Sequence, residues 1–339
     1  MEKIFQKLSL SSASIVLVIL IGIFITLFNA AKPAIDEFGF NFITDPSWNQ
    51  EVSIEGSKST TDIEEPLDEV LLEDEDDMML EDDALSYDGD SLLEEDEFMI
   101  EDEDAVGGSS DTKTVFGGWI PIVGTVLSTL IALVFALPIA MGIAVFLAEI
   151  APKNISHVVG IAIELLAAIP SIIFGMWGLY YFAPIVASFV GGYQVSLLTA
   201  GLVLGVMILP FMAAITRDSM NTTPDVLKES AYALGATKFE VIKDVIFPYS
   251  KVGIIGSIIL ALGRALGETM AVAFLIGSIF SLPEAINDPT VSIPVAMANN
   301  FGEASGLGES ALFYLALILF IMSFAVISIA KFYFLKGAK

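Results

Sequence analysis

The 339-residue sequence contains no cysteine and a single histidine. A disulfide framework and a thiolate metal site are therefore excluded. The nucleotide-binding pattern G-x-x-x-x-G-K-[ST] is absent, and no window matches a calcium-binding EF-hand loop. No pairing of a nucleophile with a base indicates catalysis. We therefore expect no catalytic residue, no cofactor or metal ion held by this chain, and no nucleic-acid partner.

Positive charge is also scarce, and negative charge is concentrated in one segment. The chain has 15 basic and 42 acidic residues. Residues 51–111 hold 26 of these acids and one lysine, Lys58. Like charges repel, and too few apolar residues are present there to offset the entropy of ordering. The pattern predicts a disordered acidic insert at residues 51–113, with loose divalent-cation binding as an open alternative. The insert separates residues 1–50 from a core at residues 114–339.

Polar stretches are short outside that insert. Hydrophobic residues make up 55% of the chain, and its mean hydropathy is +0.76, which is typical of an integral membrane protein. The first apolar run is longer than a signal-peptide core and lacks a clear cleavage site, so we interpret it as an uncleaved membrane helix. The sequence predicts an all-α polytopic membrane protein with six spans, at residues 8–30, 119–148, 158–183, 195–215, 252–282 and 310–334.

A polar interval of the core, Thr222–Pro248, lies between the fourth and fifth spans, and we call it the hairpin. Thr223 is a good helix cap, and Pro224 suits the first helical position, where its missing N–H costs nothing. Gly235 suits the left-handed residue that ends a helix. The pattern predicts a first helix of about ten residues that ends at Gly235.

A second helix start follows at once. Thr237 and Glu240 have the spacing of a capping box, in which each side chain bonds the backbone N–H of the other residue. We expect this helix to end before Pro248. The hairpin is then a pair of short helices that projects into water and binds a partner, or else an amphipathic loop without one.

Basic residues predict the orientation. With a cytoplasmic N-terminus, eleven lysines and arginines lie on the inner side and three on the outer side, which agrees with the positive-inside rule. Both termini and the hairpin are then cytoplasmic, and the acidic insert is extracytoplasmic. The inner residues are Lys3, Lys7, Lys153, Arg217, Lys228, Lys238, Lys243, Lys251, Lys331, Lys336 and Lys339, and the outer ones are Lys32, Lys58 and Lys113.

Two charged residues fall within the predicted fifth span. Arg264 and Glu268 are four residues apart, so a continuous helix would place them on one face. Gly263 and Gly267 form a G-x-x-x-G pattern that permits close helix packing. Because charge inside a membrane is costly and a guanidinium matches phosphate geometry, the pair indicates an anion path. A structural ion pair between helices is the alternative.

The predicted third span contains a further acid, Glu164, followed by Pro170 and Ser171. For Glu164, a role in gating or packing and a place in the substrate path both stay open. The Ser171 hydroxyl is a candidate contact for an oxyanion, or it satisfies backbone groups that Pro170 leaves free.

The hairpin also carries a family resemblance. Glu229, Ser230 and Ala231, followed by Gly235 and by Pro248, resemble the EAA signature of ABC-importer permeases, with a serine in place of the first alanine. The resemblance implies that these residues form a coupling helix that docks in a cleft of an ATPase subunit.

Two further segments sharpen this resemblance, namely IELLAAIPSIIFGMWG and LGRALGETMAVAFLIG. They are similar to phosphate-importer permeases of the PstC type. The resemblance implies a six-helix MetI-like permease fold in the bacterial inner membrane, with membrane lipid around it. It also implies three protein partners: a homologous PstA-type permease, a PstB-type ATPase dimer that uses ATP and Mg, and an extracytoplasmic PstS-type phosphate-binding protein. The implied substrate path contains Arg264, Glu268 and Thr269, together with the candidates Ser171 and Glu164. Import of another oxyanion (phosphonate, sulfate or molybdate) and a phosphate-signalling scaffold with little flux are the alternatives.

Overall fold

The computed structural model describes residues 2–53 and 112–336, with side chains described for residues 5–50 and 114–332. Helices dominate these residues, so the predicted all-α class is confirmed. Two short strands pair into a small sheet. Most of the acidic insert predicted at residues 51–113 lies outside the described residues. Its disorder and the domain boundaries stay predictions.

The described elements follow one another in a simple order. They are α1 (Glu2–Phe38), α2 (Asn41–Thr44), β1 (Trp48–Ser53), β2 (Thr112–Phe116), α3 (Trp119–Val145), α4 (Lys153–Ala167), α5 (Ser171–Trp177), α6 (Ala183–Val190), α7 (Leu197–Asn221), α8 (Asp225–Ala233), α9 (Lys238–Glu240), α10 (Phe247–Leu266), α11 (Met270–Ala273), α12 (Ile293–Asn300) and α13 (Leu307–Lys336). Three π-helical turns, Phe146–Ile150, Gly178–Phe182 and Val241–Ile246, adjoin these helices.

Six helical stretches in the described residues are long and apolar enough to cross a membrane, which confirms the predicted number. Helices that run directly into one another through a π-helical turn form one span. The six spans, in chain order, are Phe5–Phe38, Trp119–Ile150, Ser171–Val190, Leu197–Asn221, Lys238–Leu266 and Leu307–Phe332.

The second and fourth spans form the centre of the packed core. Small residues let the two helices approach closely, since a Cβ added to Gly205 of α7 would lie 2.8 Å from the Phe135 ring and 3.1 Å from the Ala132 carbonyl oxygen of α3. Such small-residue contacts are how membrane helices pack. The fourth and fifth spans are joined by a buried hydroxyl pair, Thr216 Oγ1 and Ser257 Oγ, 2.8 Å apart.

The first and last spans pack together at the edge of this core. The Phe42 ring, just after α1, stacks on Tyr314 of α13 with ring centroids 4.5 Å apart. The Tyr314 hydroxyl donates to the Gly39 carbonyl oxygen at 3.1 Å. Most side chains of the first span remain exposed and apolar, as expected for a lipid-facing helix.

Two predicted spans differ most from the structure in their bounds. The third span begins at Ser171 and not at residue 158, because Pro170 lacks an N–H and disfavours helical geometry in the residue before it. The preceding helix α4 is a separate element. The fifth span ends at Leu266 and not at residue 282, because the chain leaves the helix at Gly267, a residue with low helix propensity.

Candidate functional site

The first hairpin helix, α8, ends as the sequence predicts. Gly235 has a φ of +88°, in the left-handed region that glycine favours. Its N–H donates to the Tyr232 carbonyl oxygen at 2.9 Å, and the Ala236 N–H donates to the Ala231 carbonyl oxygen at 3.1 Å. These two bonds form a Schellman motif, which satisfies the last carbonyl groups of the helix.

The start of α8 differs from the prediction. The helix begins at Asp225, so Pro224 occupies the cap position, and no side chain caps the first turn. The Thr223 N–H bonds the Met220 carbonyl oxygen at 3.1 Å in the turn that ends α7, and the Thr223 hydroxyl is buried without a partner. The prediction that Thr223 caps this helix is therefore wrong, because the turn after the fourth span takes that residue first.

The second hairpin helix begins with the predicted capping box. The Glu240 N–H donates to Thr237 Oγ1 at 3.4 Å, and the Thr237 N–H donates to Glu240 Oε2 at 2.7 Å. The turn between the two helices is thus defined on both sides, by a Schellman motif before it and a capping box after it.

The second helix does not end before Pro248, so that prediction is wrong. It continues from α9 through the π-helical turn Val241–Ile246 into α10 and the fifth span. Pro248 stands at the start of α10. Proline cannot donate a backbone hydrogen bond, and a local π-helical adjustment lets a membrane helix continue past such an interruption. The hairpin is therefore the extended end of the fifth span, folded back onto α8.

The tip of the hairpin exposes large apolar side chains. Leu234 is 90% exposed and Phe239 is 71% exposed. A groove of about 390 Å³ runs between the two hairpin helices at the tip. A second, more polar groove of about 480 Å³ lies between α4 and the end of α7. Of the residues in the EAA resemblance, Glu229, Ser230 and Pro248 are exposed and Ala231 is half-buried. The residues that line the tip groove are Ala231, Leu234, Gly235, Ala236, Glu240, Val241, Asp244 and Val245.

An ion pair fastens the hairpin to the second span. Lys228 Nζ of α8 lies 2.6 Å from Glu149 Oε1, in the π-helical turn that ends the second span. The same turn holds α4, because the Ser156 hydroxyl donates to the Leu147 carbonyl oxygen at 2.8 Å. This pair has no signature in the sequence, because its members are 79 positions apart and neither lies in a recognisable motif.

Arg264 and Glu268 do not share a helical face. Arg264 lies in the last turn of α10 and is exposed, whereas Glu268 lies beyond the helix end. The Glu268 Oε1 atom accepts a bond from the Ala271 N–H at 3.2 Å and so caps α11. The described ion pairs do not join Arg264 to Glu268. The predicted face is wrong because the helix stops at Gly267 and the carboxylate bonds the backbone of the next helix.

The G-x-x-x-G pattern packs at one of its two positions. A Cβ on Gly263 would lie 3.3 Å from Ile327 Cδ1 of α13, so this glycine lies against the sixth span. A Cβ on Gly267 would meet only the Gly263 carbonyl oxygen, at 3.9 Å. Gly267 therefore serves the end of the helix and not a helix contact.

The structure brings the other two path candidates to neighbouring short helices. Thr269 immediately precedes α11 and is half-buried, and Ser171 is the half-buried first residue of α5. These helices touch, because a Cβ on Gly175 of α5 would lie 3.0 Å from the Ala271 Cα of α11. Each follows a break in the helical backbone. Such breaks within membrane proteins frequently border substrate paths.

Glu164 lies apart from these residues. It is on α4, outside the membrane spans, and its side chain is 62% exposed. Its Oε1 atom is 3.2 Å from Arg217 Nη2 of α7, and Arg217 also bonds Asp218. The prediction that Glu164 is an acid within a span is wrong, because Pro170 ends that stretch and the span starts after it.

Comparison with known proteins identifies the family. A family model described as a binding-protein-dependent transport system inner membrane component matches residues 116–336. The chain belongs to this family. The predicted MetI-like ABC-importer permease fold is thereby confirmed, and this family member is a multi-pass inner-membrane transport subunit and not an enzyme.

Relatives of this permease carry more specific names. A phosphate transport system permease protein PstC of Pasteurella multocida is 49% identical over 236 residues, 64% of this chain and 74% of its own length. One of the same name from Mesorhizobium japonicum is 36% identical over 356 aligned positions, 99% of this chain and 90% of its own.

A solved structure described as inward-facing conformations of the MetNI methionine ABC transporter has the same fold. It covers 65% of this permease and 94% of its own chain, with a TM-score of 0.53 and 18% identity. At that identity the likeness concerns the fold alone.

Proposed function

We propose that this permease forms half of the translocation pathway of an ATP-driven importer of inorganic phosphate. The observation that carries the proposal is the hairpin, whose two helices are fixed by capping motifs and whose tip exposes large apolar side chains. The names of the relatives support phosphate as the substrate. The importer contains this chain, a homologous permease, an ATPase dimer and an extracytoplasmic phosphate-binding protein.

The hairpin docks the ATPase. Leu234 and Phe239 would be poorly placed in water, since large exposed apolar side chains favour burial against a partner. The groove between the hairpin helices receives a complementary ridge of the ATPase, and the acids that line it, Glu240 and Asp244, select a basic rim. This arrangement requires that the hairpin and both chain termini are cytoplasmic, in agreement with the distribution of basic residues.

Arg264 attracts the anion. Its side chain is exposed in this chain, on a face that the second permease covers in the proposed assembly. Its guanidinium offers several donors in a fixed plane, which suits a tetrahedral oxyanion. Glu268 and Thr269 shape the path beyond the end of α10, where backbone groups leave the helix. Alternating access follows when closure of the ATPase dimer moves the hairpin and the spans reorient around Arg264.

Phosphate uptake by the complete transporter in proteoliposomes tests this proposal. Arg264→Ala is expected to lower uptake by at least about tenfold, the consequence of losing roughly 1.4 kcal/mol of interaction with the anion. Arg264→Lys, which keeps the charge but not the planar donors, should retain part of the uptake. Lys251→Met is the matched control, because Lys251 is an exposed cation of the same helix 13 positions away. Normal uptake by Arg264→Ala would refute the anion role.

The two alternative functions give different results in the same assay. Competition by phosphonate, sulfate or molybdate that exceeds competition by phosphate would indicate another oxyanion as substrate. A complex that binds its ATPase but moves no phosphate would indicate a signalling scaffold.

A further inference from the structure

The coupling hairpin is held to the second span by a nearly buried ion pair. The side chains of Lys228 and Glu149 are 17% and 10% exposed, and their charged atoms are 2.6 Å apart. Two charges removed from water in this way cost much solvation, and the pair alone is a poor device for stability. The solvation cost of this ion pair indicates that it has another role, namely to connect α8 specifically to the second span.

The rest of α8 has few other attachments to the spans. No residue of α8 is fully buried. Its Ala231 packs against an apolar cluster formed mainly by the second hairpin helix and the ends of the neighbouring spans. The Ser230 hydroxyl bonds within α8, to the Val226 carbonyl oxygen at 2.6 Å. In the described part of the chain, the Lys228–Glu149 pair is the one side-chain hydrogen bond that links α8 to a membrane span.

Glu149 is well placed to pass on a displacement. It lies in a π-helical turn whose last bond runs from the Ala151 N–H to the Phe146 carbonyl oxygen at 2.7 Å. The same turn anchors α4 through Ser156, and α4 is tied to the fourth span by the Glu164–Arg217 pair. A shift of α8 can therefore reach the second span through this pair, in addition to the fourth span, to which residues 222–224 join α8 directly.

We infer that the Lys228–Glu149 ion pair is the connection through which movement of the coupling helix reaches the second span. This inference rests on the proposed function, because it requires an ATPase that moves the hairpin. Lys228 and Glu149 are positioning residues. Neither lines the tip groove that we assign to ATPase docking.

The test uses the complete transporter in proteoliposomes, with phosphate uptake and binding-protein-stimulated ATP hydrolysis measured on the same preparation. In Glu149→Gln the pair loses one charge with little change in shape. We expect uptake and the stimulated component of hydrolysis to fall by about tenfold, within the range typical of coupling between sites. The amount of ATPase retained on the purified complex should stay at the wild-type level.

Three further variants separate coupling from folding. Lys228→Arg keeps the charge and should retain most of the stimulation. The exchange Lys228→Glu with Glu149→Lys should restore at least part of the uptake that either single change removes. Lys251→Met is the matched control, since Lys251 is an exposed lysine of α10 outside the hairpin, and it should behave as wild type.

The inference is overturned when Glu149→Gln transports and stimulates normally, or when the exchange restores no uptake. It is also overturned when Glu149→Gln releases the ATPase, because the pair would then support docking and not transmission. Failure of the proposed function looks different: the wild-type complex itself would take up no phosphate or retain no ATPase.

Discussion

Replacement of Gly235 isolates the effect of backbone strain on the hairpin. Gly235 has a φ of +88°, and a Cβ added there would meet nothing within 4 Å. A substitution therefore introduces no clash, and its whole cost is conformational. A non-glycine residue in the left-handed region costs about 1–2 kcal/mol. The Schellman geometry should consequently lose a factor of roughly 5–30 in population when Gly235 becomes alanine.

The series of side chains at this position predicts a rank order. Gly235→Asn should be the mildest change, because asparagine tolerates the left-handed region, and Gly235→Val the most severe, because valine is β-branched. Alanine should lie between them. Gly22→Ala is the matched control, since Gly22 also has open space around it but no positive φ.

Binding-protein-stimulated ATP hydrolysis by the complete transporter measures the effect. We expect stimulation to fall in the order asparagine, alanine, valine, with Gly22→Ala equal to wild type. Equal stimulation in all three variants would show that the left-handed turn has no part in coupling. A loss in Gly235→Asn as large as in Gly235→Val would show that side-chain contact with the ATPase, and not backbone strain, controls the response.

Two other changes test local features of the fold. Thr237→Ala removes the acceptor for the Glu240 N–H and should destabilise the hairpin by about 1 kcal/mol, whereas Thr237→Ser should not; hydrogen exchange of the hairpin amides measures this, and equal exchange in both variants would contradict it. The Arg217 guanidinium lies directly against Gly160, so Gly160→Ala should displace it and break its ion pair with Glu164. Because Glu164 is largely exposed, we expect the free energy of unfolding to fall by about 1 kcal/mol or less. Thermal unfolding in detergent checks the second change, and addition of Glu164→Gln should have little further effect, because both changes remove the same ion pair.

Features encoded within a few residues could be predicted from the sequence. Span number follows from apolar runs, and the capping box at Thr237 and the helix end at Gly235 follow from local patterns. Pro248 wrongly predicts a helix end, because a π-helical turn before it lets this helix continue. The spacing of Arg264 and Glu268 predicts one shared helical face, but Gly267 ends the helix between them.

Contacts between distant residues were beyond this kind of prediction. The ion pair of Lys228 with Glu149 joins a hairpin to a span far away in the sequence, and each residue alone looks like an ordinary surface charge. The partner of Glu164 is likewise set by how α4 packs on α7. A sequence pattern identifies which charges are costly to bury, but the fold decides which opposite charge each one meets.

The unbroken course of the fifth span has a mechanical consequence. It extends over 29 residues, from Lys238 to Leu266, which corresponds to a rod of roughly 43 Å at about 1.5 Å per residue. Its hydroxyl contacts with the fourth span lie at Ser250, whose carbonyl oxygen accepts from the Ser219 hydroxyl, and at Ser257, which is much closer to the Arg264 end than to Lys238. A tilt of about 10° around that point would move Lys238 by roughly 5 Å and Arg264 by roughly 2 Å in the opposite direction. With Ser257 as the pivot, such a tilt would therefore turn a large displacement at the Lys238 end into a smaller, reversed displacement at the Arg264 end.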